Sequence, residues 1–530
     1  MIFLKDTILN KLQSNPVAQQ MLQFGNNIGN LFPNEEALCM ASAFMQDQQT
    51  RIVVKKNRYE AQQLYQRLKP LINDTLLFVM EESLRVQAIA SSPEDKQEQL
   101  YVLTQLVKED KPRIIICNTA AFLRYLPDKE LFKSLCYKFE VDQEITMAEL
   151  KQKLNRAGYT KVNYVDRPCT YASRGGIVDV YCLEYEHPIR IEFFDTVIES
   201  IRLFHEETQR TIQTIDSVLI NPATDLLFTD DQIEYLQKEI DSELEKQQAK
   251  LIQDDYDFLL DYIEKDKISI ENYNIDPHLY IYFSYLNANK LTDYVNGHII
   301  FSSQEEVESG YKKLNEETIS FIQEMVESHQ YLPKYCMFHD ILTFEKEHTI
   351  QMFHDFLDFK HPIFSNIETL EQSDQPLIQI LENLKGENIY ISLDEEHTKK
   401  VQEALKAYSI HRNITFIKDD FYEGFTYEDI SVYTHQLHDF NEQHLHLQQQ
   451  WTQYQQDYQH FIEEFFDSKE QYHHYLDQMK DILAREKEYQ DYLIHIVLYI
   501  HDNHLFFPHL IPRYILSAYY HIFCMNTVRY

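Results

Sequence analysis

Few residues of this chain stand at spacings that could do chemistry. Gly25 and Gly29, in the stretch FGNNIGNLFPNEEALCMA, precede an apolar helix, the layout of a loop that cradles phosphate on backbone N–H groups. Hydrolysis would also need a lysine for the terminal phosphates and a Ser/Thr for magnesium, and G-x-x-x-x-G-K-[ST] occurs nowhere. No lysine lies between Gly25 and Met45 to compensate phosphate charge. A structural turn and a lapsed nucleotide site both remain open. Twelve of the 23 histidines fall in the last hundred residues, among them His444-x-His446 and His473-His474. None forms the H-E-x-x-H pattern that puts two imidazoles on one helix face, so no metal site is expected. The cysteines (Cys39, Cys117, Cys136, Cys169, Cys182, Cys336, Cys524) are scattered and never form C-x-x-C. That spacing excludes a disulfide framework or a structural zinc and suits a reduced, cytoplasmic chain. There is no G-x-S-x-G elbow, and acidic pairs mean nothing among 85 carboxylates. No catalytic residue is expected.

What remains is recognition chemistry. Side chains alternate faces along a strand, so in Ile189–Phe194 the residues Ile189, Ile191 and Phe193 share one face, and Arg190, Glu192 and Phe194 the other. In Val197–Phe204, Ile201 and Leu203 point to the core, with Ser200, Arg202 and Phe204 opposite. One sheet face therefore mixes arginine with phenylalanine, the composition of protein-binding hot spots. The same pattern fits Phe194 and Phe204 packed beneath a neighbouring domain, with the arginines paired to Glu192 and Glu199. From alternation alone both readings stand.

The elements that position these residues follow from periodicity. Arg51–Val54, Leu76–Val79 and Arg113–Cys117 are short β-branched runs separated by helical stretches such as Arg58–Leu68, which predicts a mostly parallel α/β domain over residues 1–126. Met147–Ala157 reads as a helix. After it, Val162–Val165, Ile177–Cys182, Ile189–Phe194 and Val197–Phe204 read as an antiparallel meander with turns at Arg174-Gly175-Gly176 and Glu186-His187-Pro188. Residues 230–275 and 303–330 are acidic and helical. A second small α/β pattern spans 365–435, with strands Asn388–Ser392 and Ile414–Ile417. Residues 436–489, rich in Gln, His, Glu and Tyr, read as a polar helical linker. A chain of 530 residues with 44% hydrophobic and 13% aromatic side chains is a multidomain globular protein rather than a disordered one. Its formal net charge of −36 excludes general-surface affinity for DNA or anionic membrane. Leu493–Ile500 and Tyr514–Met525 are far shorter than the roughly 20 apolar residues of a spanning helix, and no membrane partner is expected.

The stretch Arg167–Thr224 resembles the module shared by bacterial transcription-repair coupling factors and, more loosely, the excision-repair protein UvrB. The resemblance is carried by Ser173-Arg174-Gly175-Gly176-Ile177-Val178-Asp179, by His187-Pro188-Ile189-Arg190-Ile191-Glu192-Phe193-Phe194-Asp195, by Ile198-Glu199-Ser200-Ile201-Arg202-Leu203-Phe204 and by Glu207-Thr208-Gln209-Arg210. Weaker agreement reaches Ser91–Glu94, Leu126-Pro127, Leu291–Tyr294 and Gly424-Phe425. The resemblance implies a UvrB-like α/β domain with a degenerate phosphate loop, its first half at 1–126 and second half at 215–350. Inserted between them at 127–214 is an antiparallel α+β module that docks the repair protein UvrA. It places the UvrA-binding positions on Arg174, Arg190 and Phe194. Where the family has Pro-Gly-Glu-Phe, this chain has Pro168-Cys169-Thr170-Tyr171, an altered turn before the docking strand.

By the same resemblance the chain is expected to be the N-terminal part of a coupling factor, truncated or with a decayed C-terminus, that recruits UvrA to stalled RNA polymerase. The family's ATP- and magnesium-dependent DNA translocase would lie outside it, so no cofactor is expected here and DNA would be met only through that missing motor. RNA polymerase would be met through C-terminal regions, of which residues 490–530 are a remnant. The rival expectations are an ATP-dependent translocase, which requires the absent phosphate-loop lysine, and an inert remnant whose tail no longer folds.

Overall fold

The structure, a computed structural model, describes residues 4–23, 28–29, 31–82, 93–273, 276–354, 364–370, 377–393, 395–407, 412–417 and 421–434. The chain divides into two compact units, Met1–His438 and Asp439–Tyr530, and the second lies wholly outside the described residues. The readings of residues 436–489 as a linker and 490–530 as a polymerase-domain remnant therefore fall outside them too, as does Gly25.

The first segment supplies β1 (Ile28–Gly29), β2 (Arg51–Lys55), β3 (Thr75–Phe78) and β4 (Ile114–Asn118). Ile52–Val54 and Ile114–Ile116 are buried on both faces, as strands in a covered parallel sheet must be. The helix Arg58–Leu68 starts where the Asn57 side chain accepts the Glu60 N–H at 2.9 Å. It buries Ala61, Leu64 and Leu68.

The chain then leaves this sheet to build a module. A short pair, β5 (Tyr137–Glu140) and β12 (Ser217–Ile220), brackets β6 (Thr160–Lys161), β7 (Thr170–Arg174), β8 (Ile177–Tyr181), β9 (Ile189–Phe194), β10 (Val197–Phe204) and β11 (Thr211–Ile215), which pair in reverse chain order from β11 to β6. The helix Met147–Arg156 has a capping box of Thr146 and Glu149 and lays Leu150 and Leu154 against the inner sheet face. Val178, Val180, Ile189, Ile191 and Ile201 line that face. Two expectations change here. Val162–Val165 is not a strand: after Lys161 the chain bends across the outer face of the sheet, leaving Tyr164 exposed and burying Val165. The module core also runs past residue 214, because β12 pairs with β5 and puts Val218, Ile220 and Ala223 into it.

Returning, the chain adds β13 (His298–Phe301) and β14 (Ile350–His354) in parallel between β1 and β2, so one six-stranded sheet of order β1-β14-β13-β2-β4-β3 contains residues from both sides of the module. The apolar run Pro277–Tyr285 forms a 3₁₀ helix that buries Leu279 to Phe283 in the core. Finally β15 (Glu368–Leu370), β16 (Asn388–Ser392), β17 (Ile414–Ile417), β18 (Gly424–Tyr427) and β19 (Ile430–Tyr433) form a five-stranded sheet of order β15-β18-β19-β16-β17. Phe425, Tyr427, Ile430 and Val432 from it share a core with Leu9, Leu12 and Leu38 of the N-terminal helices. Arg67 also pairs with Glu423 across this contact.

The point where the module joins the sheet is polar and buried. Arg124, just before the outgoing chain, is hydrogen-bonded to Asp225 on the returning chain and to Gln99, and its guanidinium lies 5.6 Å from the ring centre of Tyr280. The side chains of Arg124 and Asp225 are 7% and 9% exposed. Removing one partner of such a pair strands a charge without water, so Arg124→Met should cost about 3–5 kcal/mol of unfolding free energy by urea denaturation. The double variant Arg124→Met/Asp225→Leu, which buries no charge, should recover a large part of it.

Candidate functional site

Two tight hairpins turn at the same end of the module sheet. Arg174 pairs with Ile177 across Gly175-Gly176, and Phe194 with Val197 across Asp195-Thr196. Gly175 has φ +56° and Gly176 does not reach positive φ, the pattern of a type II′ turn that suits strand twist. Asp195, at φ +55°, does the same work in the second hairpin with a residue that tolerates the left-handed region.

Register fixes the outer face. One row runs Arg174, Ile177, Glu192, Ser200, and the next runs Ala172, Asp179, Arg190, Arg202. Phe194 lies on the same face, one row beyond Glu192 at the hairpin end. Arg174, Arg190 and Phe194 thus share a face, but their surroundings differ sharply. Phe194 is 74% exposed, the most exposed large apolar side chain among the described residues. Arg174 is exposed and donates to the Asn163 carbonyl at 2.7 Å. Arg190 is engaged within the sheet: its Nε and Nη2 donate to the two carboxylate oxygens of Asp179 at 2.7 and 2.8 Å, and Nη2 donates to Gln209 Oε1 at 2.6 Å. Its guanidinium covers the Phe204 ring at 4.2 Å from the centroid.

The two readings of this face are therefore divided between its aromatics. Phe194 is presented, whereas Phe204 is 1% exposed, buried with Val165 and Ala172 in a small cluster on the outer face. Alternation assigned Phe204 to the outer side correctly but could not show the chain at 162–165 folding over it. Of the two expected acids, Glu192 does take an arginine, while Asp179 stands in place of Glu199. Arg190 takes Asp179, and Arg202 takes Glu192, which accepts a hydrogen bond from Ser200 at 2.8 Å as well. Arg190 stands directly opposite Arg202, a like-charge pairing that these two acids neutralise. The bidentate hydrogen bonds to Asp179 hold the Arg190 guanidinium above its already high pKa, against partial burial, which lowers it.

The altered turn survives in strained form. Cys169 sits at φ +64°, a conformation that costs a non-glycine residue roughly 1–2 kcal/mol. Its N–H donates to the Tyr181 carbonyl at 2.8 Å, which keeps β7 in register with β8.

Around the glycine stretch the chain's own carboxylates occupy the helix start. In the helix Pro33–Asp47, Glu35 accepts the Phe32 N–H at 2.9 Å and the Ser365 hydroxyl at 2.5 Å. Glu36, buried, accepts Lys55 Nζ at 2.6 Å and the Ser302 hydroxyl at 2.7 Å. The positive end of that helix already faces two acids, and Gly29 is buried in β1. Lys55 reaches Glu36 from the end of β2, a partner that no spacing within the glycine stretch foretells. Among the thiols, burial pushes Cys39 and Cys117 far above the usual range, Cys182 up to about 12 and Cys136 up to about 11, conditions that suppress a thiolate nucleophile.

Arg190→Ala would strand Asp179 and uncover Phe204, so it should lower module stability by roughly 1.5–3 kcal/mol. Arg174→Ala, on an exposed side chain, should stay within about 0.5 kcal/mol of the parent. Paired chemical denaturation curves check this difference, and equal losses would contradict it.

A family model described as the UvrB interaction domain matches residues 137–226, the module from β5 to just past β12. The transcription-repair-coupling factor of Bacillus subtilis (strain 168) is 29% identical over 402 residues, covering 71% of this chain and 34% of that protein. Those of Staphylococcus haemolyticus (strain JCSC1435) and Staphylococcus epidermidis (strain ATCC 12228 / FDA PCI 1200) are 29% and 27% identical over 305 residues, covering 56% of this chain and 26% of each relative. The chain thus spans about a third or less of the length of these relatives. No helix among the described residues is long and apolar enough to cross a membrane. The chain is accordingly a relative of the transcription-repair-coupling factors, corresponding to their N-terminal portion and carrying a UvrB interaction domain as its inserted module.

Proposed function

We propose that the chain recruits the excision-repair protein UvrA through the hairpin end of the module sheet, as part of a system that delivers UvrA to RNA polymerase stalled at DNA lesions. Exposed Phe194 on the same face as Arg174 is the observation that carries this reading. A phenylalanine left 74% in water contributes nothing to this fold's core and suits an anchor for a partner's apolar pocket. Arg174 supplies the directional charge, offering its remaining N–H groups to an acidic group on the partner. Arg190 contributes differently, holding Asp179, Gln209 and Phe204 so that the face keeps its shape.

On the same reading this portion does not hydrolyse ATP. In support, Glu35 and Glu36 carry negative charge at the start of the helix Pro33–Asp47, which disfavours phosphate there, and Lys55 is committed to Glu36. RNA polymerase and DNA would be engaged elsewhere in the system.

Titration of the full chain with UvrA tests the docking role. Phe194→Ala should weaken binding by about 2–4 kcal/mol while leaving the urea midpoint unchanged. Tight binding by a Phe194→Ala/Arg174→Ala variant would overturn the assignment. A DNA-stimulated ATPase assay addresses the second part, where turnover above a no-protein blank would refute it.

A further inference from the structure

At the opposite end of the same sheet, three side chains converge that have no role in the docking reading. His187, in the β8–β9 connection, and His205 and Glu206, just after β10, offer ligand atoms that all lie within 4.8 Å of one another. The imidazole rings of His187 and His205 stand at 4.8 Å between centroids, inclined at 67°. His187 Nδ1 and Glu206 Oε2 are buried without a hydrogen-bond partner. They lie 3.9 Å apart, beyond hydrogen-bonding range. A buried polar atom left without a partner costs roughly 1–3 kcal/mol, so two such atoms facing each other beside a third ligand group call for something between them.

We infer that His187, His205 and Glu206 form a zinc site. Two imidazoles and a carboxylate are borderline ligands that suit zinc and disfavour magnesium or calcium, which prefer all-oxygen sets. Three protein ligands leave a fourth tetrahedral position for water. With bonds near 2.0–2.1 Å, tetrahedral ligand atoms stand about 3.3 Å apart. Closing from 4.8 Å is a side-chain adjustment, since Glu206 has three rotatable bonds and His205 is exposed.

The backbone that carries the ligands is already fixed. The Phe204 N–H donates to the Pro188 carbonyl at 3.1 Å, tying the His187 loop to the end of β10. His205 N–H donates to the Arg210 carbonyl at 3.0 Å, and Gln209 N–H to the His205 carbonyl at 2.8 Å, closing the turn. Tyr181 OH holds the Glu186 carbonyl at 3.0 Å. Gln209 connects the site to the docking face, because its Nε2 donates to the Glu206 carbonyl at 2.7 Å while its Oε1 receives Arg190. Zinc would therefore brace the turn that steadies Arg190.

Hydrogen exchange with mass spectrometry on the full chain, stripped by chelator and titrated with zinc chloride alone, gives a local readout that the many histidines beyond residue 434 cannot mimic. Zinc should protect peptides covering 184–188 and 204–210 together. In His205→Ala the zinc concentration for half protection should rise by at least the roughly 10–100-fold that loss of even an outer-shell partner costs. Magnesium chloride should leave both peptides unprotected. Absence of zinc protection in these peptides, or equal protection in His187→Ala/His205→Ala, would overturn the site. Should that double variant fail to fold, near-isosteric Glu206→Gln decides the matter by the same criterion.

Discussion

The module depends on a buried guanidinium. An insertion carried on two chain segments can hold an orientation only if those segments are fastened where they leave the parent sheet. Here Arg124 is that fastening, bonded to Asp225 on the returning segment and to Gln99, which in turn donates to the Val79 carbonyl at 2.6 Å. Neighbouring contacts extend the junction: Leu126 exchanges backbone hydrogen bonds with Asn289, and the Tyr294 hydroxyl donates to the Pro127 carbonyl at 3.0 Å. Apolar packing alone would not select one partner so strictly, because hydrophobic contact is non-directional. A charge that has no water to fall back on must find its counter-ion, which makes the junction specific as well as costly to break.

Beyond that junction the module separates scaffold from contact by strand register. In the row containing Asp179, Arg190 and Arg202, Asp179 neutralises Arg190 and Glu192 of the adjoining row neutralises Arg202, and its aliphatic and aromatic parts are closed over by Val165 and Phe204. The row nearer the hairpins ends in Arg174, with Phe194 just beyond. The same alternation that buries Ile189 and Ile191 against the helix Met147–Arg156 sends Arg190 and Phe194 outward. Only the distance from the hairpin turn then decides which of the two meets water.

How much of this was legible follows from the range of each interaction. Alternation within β9 and β10 is local, so the outer placement of Arg190 and Phe194 could be read directly, as could the β-branched strands of the parallel sheet. Phe204 could not be assigned to burial, because what covers it comes from residues 162–165, a stretch whose own apolar residues imitate a strand. Asp179 was missed as the partner of Arg190 because cross-strand pairing depends on register, which residue types do not specify without the turn geometry. β5 and β12 are brought together across the whole module and carry no local signal of each other. The same holds for Lys55 and Glu36, and for His187 with His205 and Glu206, where sequence spacing offers no metal pattern and only the hairpin ends create one.

The charge of the chain bears on how such a face works. With a net charge of −36, the average surface repels nucleic acid and other acidic partners at long range. An acidic group on a partner would therefore be received only where positive charge is both exposed and unspent. Arg190 and Arg202 are spent on Asp179 and Glu192, whereas Arg174 is bonded only to a carbonyl and, among the described residues, has no acid within ion-pair distance. On the proposed reading, discrimination would come from contrast, with an exposed guanidinium and an exposed ring on one sheet face and a background that disfavours most anions. On that reading, neutralising the inner arginines would make the outer one specific, because a face with every arginine free would attract any polyanion.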